Sequence, residues 1–128
     1  MVIPSELDAA QKAEQEILGE VAKHAYSEAC VFAIKLAVEE ALNNAIKHGN
    51  RFDSSKTISL TFRVGPAETA VTITDQGSGF NPGVVPDPTK EENLQKPTGR
   101  GIMLMRAYMD EVRFNEKGNQ VHMVKRNT

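Results

Sequence analysis

The stretch Glu40-Ala41-Leu42-Asn43-Asn44-Ala45-Ile46-Lys47-His48-Gly49 decides how this chain is read. It closes a long helical run, and Glu40 and Asn44, four residues apart, lie one above the other on a single helix face. A carboxylate in that place can polarise or deprotonate a hydroxyl. An amide oxygen beside it can serve as one hard ligand for Mg²⁺, which prefers oxygen and keeps several waters. By helical spacing Val31, Ile34, Val38, Leu42 and Ala45 form the apolar stripe that packs on a core, while Glu40, Asn44 and His48 project from roughly the opposite side. The small side chains nearest them, Ala33, Ala37 and Ala41, are expected to leave room above the helix for a ligand. The same pattern also suits the solvated face of an ordinary amphipathic helix, so the flanking sequence has to choose.

Upstream, Asp8 to about His24 is rich in Ala, Glu, Gln and Lys, with apolar residues at Ala13, Ile17, Leu18 and Val21. This predicts an amphipathic helix with Asp8 or Ser5 as its N-cap. Val2-Ile3 is a short edge strand or a loose end. Ser27 caps the second helix, Glu28 suits the positive end of its dipole, and Gly49-Asn50 is expected to end it in a left-handed turn.

Downstream the period changes. Ile58, Leu60, Phe62 and Val64 alternate with polar residues, Gly65-Pro66-Ala67-Glu68 turns, and Thr69 to Asp75 returns, which predicts an antiparallel hairpin. Asp75 shares the inward parity of Val71 and Ile73, so its carboxylate points toward the interior and needs a partner; an Asp that merely initiates the following turn is the plainer alternative. Residues 76–98 hold Gly77, Gly79, Gly83 and four prolines in one long loop, a length usual for lids. Gly99-Arg100-Gly101 then leads into an apolar helix over 102–109. A glycine-rich helix start offers unpaired N–H groups at the positive end of the dipole and suits phosphate. Two short strands close the chain, Val112 and Phe114 in one, Val121 and Met123 in the other, joined at Glu116-Lys117-Gly118-Asn119.

Composition bounds the function. The 128 residues are 40% hydrophobic and 25% charged, which predicts one soluble domain, and a net charge of −2 gives no reason to expect nucleic-acid or membrane binding. Cys30 is the only cysteine, so an intramolecular disulfide or cysteine metal cage is excluded. His24, His48 and His122 are too scattered to argue a metal site. Residues 1–10 carry no basic stretch followed by an apolar run, and a cytoplasmic protein is expected.

Taken in order, these signals resemble the ATP-binding domains shared by gyrase, the heat-shock chaperone, MutL and the histidine kinases. Glu40 to Gly49 looks like the N box of that superfamily, Asp75-Gln-Gly77-Ser-Gly79-Phe80 like its first glycine box, and Thr98-Gly99-Arg100-Gly101-Ile102 like its second. Within it, Glu40-Ala41, His48-Gly49 and the run from Gly99 to Val112 are most similar to the small anti-sigma-factor serine/threonine kinases of the RsbW type. The resemblance implies an α+β fold of Bergerat type over residues 1–128, a two-layer sandwich with helices on one face of a mixed, mostly antiparallel sheet. It implies ATP between the layers, Mg²⁺ on Asn44, the adenine amino group on Asp75, and Glu40 activating a serine or threonine hydroxyl. His48, Gly77, Gly79, Phe80, Thr98, Gly99, Arg100, Gly101 and Ile102 would line the nucleotide and its lid. The implied partners are a small antagonist protein, a sigma factor or other regulator, and a second copy in a homodimer. A sensor histidine kinase would need a phosphoacceptor histidine on a separate helical hairpin, for which this chain has no room. A module that binds nucleotide and a partner without phosphotransfer is the alternative. Two departures stand out: Gly118-Asn119-Gln120 replaces the Thr that many relatives place near the adenine-binding Asp, and the first strand is reduced to Val2-Ile3.

Overall fold

A computed structural model describes residues 1–77 and 97–128, and of Pro97, Thr98 and Gly99 only the backbone. Five strands form one sheet in the order β1-β2-β3-β5-β4. They are β1 (Val2–Pro4), β2 (Thr57–Val64), β3 (Glu68–Thr74), β4 (Glu111–Phe114) and β5 (Gln120–Arg126). Every pairing is antiparallel, and the expected β2–β3 hairpin sets Leu60 opposite Ile73 and Phe62 opposite Val71. Val2-Ile3 is an edge strand, with Ile3 facing Ile58. The helices α1 (Leu7–Val21), α2 (Glu28–Asn44) and α3 (Pro97–Tyr108) cover one face. The core between the layers is aliphatic, built on Ile17, Ile34, Leu42, Ile46, Ile58, Leu60, Ile73 and Met123. The opposite face carries a polar pair across strands, Thr72 Oγ1 with His122 Nδ1 at 2.8 Å.

Several boundaries differ from the sequence expectation for local physical reasons. Helix α1 starts at Leu7 with Glu6 in the N-cap position and no side-chain cap; Ser5, one of the two residues expected there, is instead buried with its Oγ unpartnered. A tight turn, His24 N–H to Val21 C=O at 3.0 Å, closes α1 three residues early. Ser27 caps α2 as expected, its Oγ accepting the N–H of Cys30 at 3.1 Å. Helix α2 does not run on regularly to His48: Ala45–Gly49 is a turn of π-helix, closed by Asn50 N–H to Ala45 C=O at 2.8 Å. The left-handed residues that follow are Arg51 and Phe52, not Gly49 or Asn50.

The alanine expectation is also corrected. Ala33 and Ala37 are buried in the core rather than left beside open space, with α3 packed against α2, whereas Ala41, also buried, does border a cleft. Of the three alanines, the room for a ligand lies beside Ala41, at the C-terminal end of α2.

Between α1 and α2 the Glu14 carboxylate is buried with no hydrogen bond to Oε1; Lys35 Nζ stands 3.9 Å from it. Burial, and then the neighbouring Glu39, push this carboxyl above the ordinary glutamate value, and Lys35 pulls it part of the way back. The folded chain therefore holds this proton more tightly than the unfolded chain does. Stability falls as pH rises from the ordinary glutamate range through the raised folded value. Glu14→Gln is expected to raise the melting temperature by a few degrees at neutral pH and to change little at about pH 4, where the native carboxyl is already protonated. Thermal melts at the two pH values check this.

Candidate active site

Three elements meet at one cleft. The end of α2 supplies Ala41 and Asn44, the π turn supplies Ala45, His48 and Gly49, and β3 with its following residue supplies Ile73 and Asp75. Met105 of α3, Phe114 of β4 and the 118–121 segment complete the wall around a space of about 590 Å³ including its open mouth. The floor is apolar and the polar groups converge from the rim, the usual character of a small-molecule site.

Asp75 lies where strand parity put it. Burial lifts its carboxyl above the ordinary aspartate range; the Gly77 N–H, Lys117 and Lys56 pull the other way. Its Oδ1 accepts the Gly77 N–H at 2.7 Å, and Oδ2 makes no hydrogen bond within the described residues. Two glycines permit this geometry. A Cβ on Gly49 would press into the Asp75 carboxylate, and a Cβ on Gly77 would overlap the backbone carbonyl of Gly49. Glycine is required here for close approach of two segments of the chain rather than for a left-handed backbone.

Asn44 is half-buried at the end of α2, with no side-chain hydrogen bond among the described residues. Glu40, also half-buried, lies one turn earlier. A Cβ on Gly101 would stand 2.8 Å from Asn44 Nδ2 and 3.1 Å from Glu40 Oε2, so the start of α3 rests directly on this pair. Burial, then Lys47, lowers the His48 imidazole below its ordinary value, which keeps it neutral at pH 7.

The structure thus brings Asn44, His48 and Asp75 to one cleft and sets Glu40, Gly77 and Gly101 against it. It corrects the second glycine segment: α3 begins at Pro97, so Gly99-Arg100-Gly101 lies inside the helix rather than forming a turn before residue 102. Thr98, Gly99 and Arg100 still belong to the first turn, whose N–H groups lack intrahelical partners. Arg100 is exposed there, and Ile102 is buried in the core and does not line the cleft. Gly79 and Phe80, with most of the expected lid over 76–98, lie outside the described residues. Sequence reasoning missed Phe114, Met105 and Val121 as cleft walls, because their roles depend on pairings across the sheet.

Residues 3–125 match the histidine kinase-like ATPase domain family. The chain is 32% identical over 114 residues to the serine-protein kinase RsbW of Bacillus licheniformis, covering 84% of this chain and 71% of that protein. This chain belongs to the histidine kinase-like ATPase domain family, in the group of the RsbW serine-protein kinases. An anti-sigma F factor of Clostridium perfringens is 32% identical over 99 residues, covering 73% of this chain and 70% of that one. In fold, the RsbU and RsbW domains of a Mycobacterium tuberculosis protein superpose with a TM-score of 0.61 at 15% identity, over 99% of this chain and 31% of that one. Similarity to relatives named as serine-protein and serine/threonine-protein kinases supports serine/threonine kinase activity, and the ATPase domain implies use of ATP. No helix among the described residues is long and apolar enough to cross a membrane.

For a domain of this family the close contact of Gly49 with Asp75 has a direct consequence. Gly49→Ala is expected to displace the Asp75 carboxylate and weaken ATP binding by about 10-fold or more, since an acceptor moved out of line loses most of a charge-assisted hydrogen bond. Calorimetric titration with Mg-ATP measures it; unchanged affinity would separate Asp75 from the ligand.

Proposed function

We propose that this chain is an ATP- and Mg²⁺-dependent kinase of the anti-sigma type. It phosphorylates a small antagonist protein on serine or threonine and sequesters a sigma factor, acting as a cytoplasmic homodimer built from one ATP-binding domain over residues 1–128. The observation that carries this reading is the convergence of Asn44, Gly49 and Asp75 on one cleft, with glycine at each place where a side chain would close it.

The residues present fit Mg-ATP. Asp75 offers a half-buried acceptor with one oxygen unclaimed by the described residues, suited to a purine amino group. Asn44 offers an amide oxygen unclaimed by the described protein residues. No group of three or more His, Cys, Asp and Glu lies together among the described residues. A metal here would therefore draw most of its ligands from phosphate and water, which is the habit of Mg²⁺. Bound ATP supplies the transferable phosphoryl group.

The chain's own residues have separate tasks in this reading. Asn44 orients the metal, and the first turn of α3 with the exposed Arg100 holds negative charge at the positive end of a helix dipole. The apolar floor excludes water from the base. The Glu40 carboxylate takes the hydroxyl proton of the incoming serine or threonine. His48, neutral at pH 7 and largely exposed, lines the edge of the cleft rather than serving as base.

The test is incubation with labelled ATP and the candidate antagonist, followed by phosphosite mapping. Transfer to one serine or threonine is expected. If saturating Mg-ATP or ADP left the melting temperature unmoved, the nucleotide reading would fail.

A further inference from the structure

Asn50 stands outside every chemical role assigned above. It is the first residue after the π turn and is completely buried. Its Nδ2 donates to the Thr57 carbonyl at 3.0 Å, and its Oδ1 accepts the Gln76 N–H at 2.8 Å. Gln76 Oε1 in turn accepts the Thr57 N–H at 2.7 Å. These bonds form a closed ring joining the end of the α2 run, the first residue of β2, and the residue immediately after Asp75.

The π turn makes the ring possible. Its i to i+5 bond, from Asn50 N–H to Ala45 C=O, fixes the backbone from which the Asn50 amide reaches Gln76 and Thr57. From the other side Asn119 holds Asp75 itself. The Asp75 N–H donates to the Asn119 carbonyl at 2.9 Å, and Asn119 Nδ2 donates to the Asp75 carbonyl at 3.1 Å. Asn115 Nδ2 fixes Asn119 by donating to its Oδ1 at 2.7 Å. Both peptides flanking Asp75 are therefore held, one by Asn119 and the next by Asn50. With Gly77 on Oδ1 and Gly49 packed behind the carboxylate, little freedom remains in where Oδ2 points.

We infer that Asn50 is the positioning residue that aims Asp75 and thereby sets the preference for a purine bearing a 6-amino group; this rests on the nucleotide reading proposed above. The ring does more than support the fold, because it couples the helix bearing Asn44 to the loop bearing Asp75. An amide buried in this way has no water to replace a lost partner, so the ring opens as a unit.

The experiment measures affinity for Mg-ATP and for the Mg complex of purine riboside triphosphate, which lacks the 6-amino group, in wild type, Asn50→Ala, Asn50→Asp and Gln76→Ala. Wild type is expected to favour ATP by roughly 10–100-fold, the range for one hydrogen bond to a charged acceptor. Asn50→Ala brings that ratio close to one by weakening ATP alone. Asn50→Asp keeps the acceptor for the Gln76 N–H and retains part of the ratio. Gln76 is exposed, so Gln76→Ala leaves the core intact and reports on the ring even where Asn50→Ala fails to fold; it also lowers the ratio. An unchanged ratio in folded Asn50→Ala or in Gln76→Ala, an equal loss of both ligands, or a wild type that does not discriminate overturns the inference. A wild type that binds neither triphosphate overturns the nucleotide reading itself, and this inference with it.

Discussion

Glu40→Gln is expected to bind Mg-ATP as wild type does and, if Glu40 is the proposed base, to transfer phosphate about 10²–10⁴-fold more slowly, the range for removing a positioned general base. The substitution is nearly isosteric, so the side chain that packs beneath Gly101 keeps its shape; what goes is the charge and the ability to take a proton. Ground-state affinity does not fall, because the lost carboxylate repels the phosphates more than it holds them. A loose transition state, with little proton transfer at its top, puts the loss toward the lower end of that range. Single-turnover transfer to the antagonist, run beside calorimetric titration, separates the two effects. Transfer at the wild-type rate would remove Glu40 from the chemistry. Equal loss of binding and transfer would make it a packing residue.

Much of the fold could be read from the chain because its signals are local. The apolar stripe of α2, the Ser27 cap and the alternation in β2 each follow from spacing within a few residues, and the inward parity of Asp75 follows from Val71 and Ile73 in β3. What could not be read depends on approach between distant segments. Gly49 looked like a helix terminator, yet its backbone is not left-handed; it is glycine because Asp75 stands against it. Gly99 and Gly101 looked like a loop, since glycine weakens a helix, but Pro97 is tolerated in a first helical turn, and Gly101 is held in α3 by its contact with Asn44 and Glu40. The π turn has no spacing signature at all. The brace from Asn119 to Asp75 joins residues 44 apart in sequence and exists only once β3 and β5 pair. Where many relatives place a Thr, Asn119 spends its amide holding the Asp75 backbone.

Asn44→Ala abolishes the response to Mg-ATP while leaving the apo protein at least as stable. The side chain has no hydrogen-bond partner among the described residues, so truncation orphans no described group. In the last turn of α2, alanine also has a higher helix propensity than asparagine, by roughly 0.5 kcal/mol. With Asn44 as the proposed metal ligand, its loss is expected to exceed the roughly 10–100-fold typical of groups one layer further out, so that affinity in the presence of Mg²⁺ falls by at least about 100-fold. Wild type at a ligand concentration 100 times its dissociation constant gains about 2.7 kcal/mol, a rise of about 10 °C in melting temperature for a chain of this length. Asn44→Ala shows almost none of that rise. Chelating the metal tests the assignment further: it weakens nucleotide binding by wild type and leaves the residual binding of Asn44→Ala unchanged, because the variant no longer links nucleotide to metal. Asn44→Asp restores an oxygen ligand, but places a second negative charge one turn from Glu40 and facing the phosphates. It is expected to recover the Mg²⁺ dependence without the full affinity. If Asn44→Ala kept both the thermal shift and the metal dependence, the metal would sit elsewhere, and the Glu40–Asn44 face would be left with Glu40 alone as a chemical group.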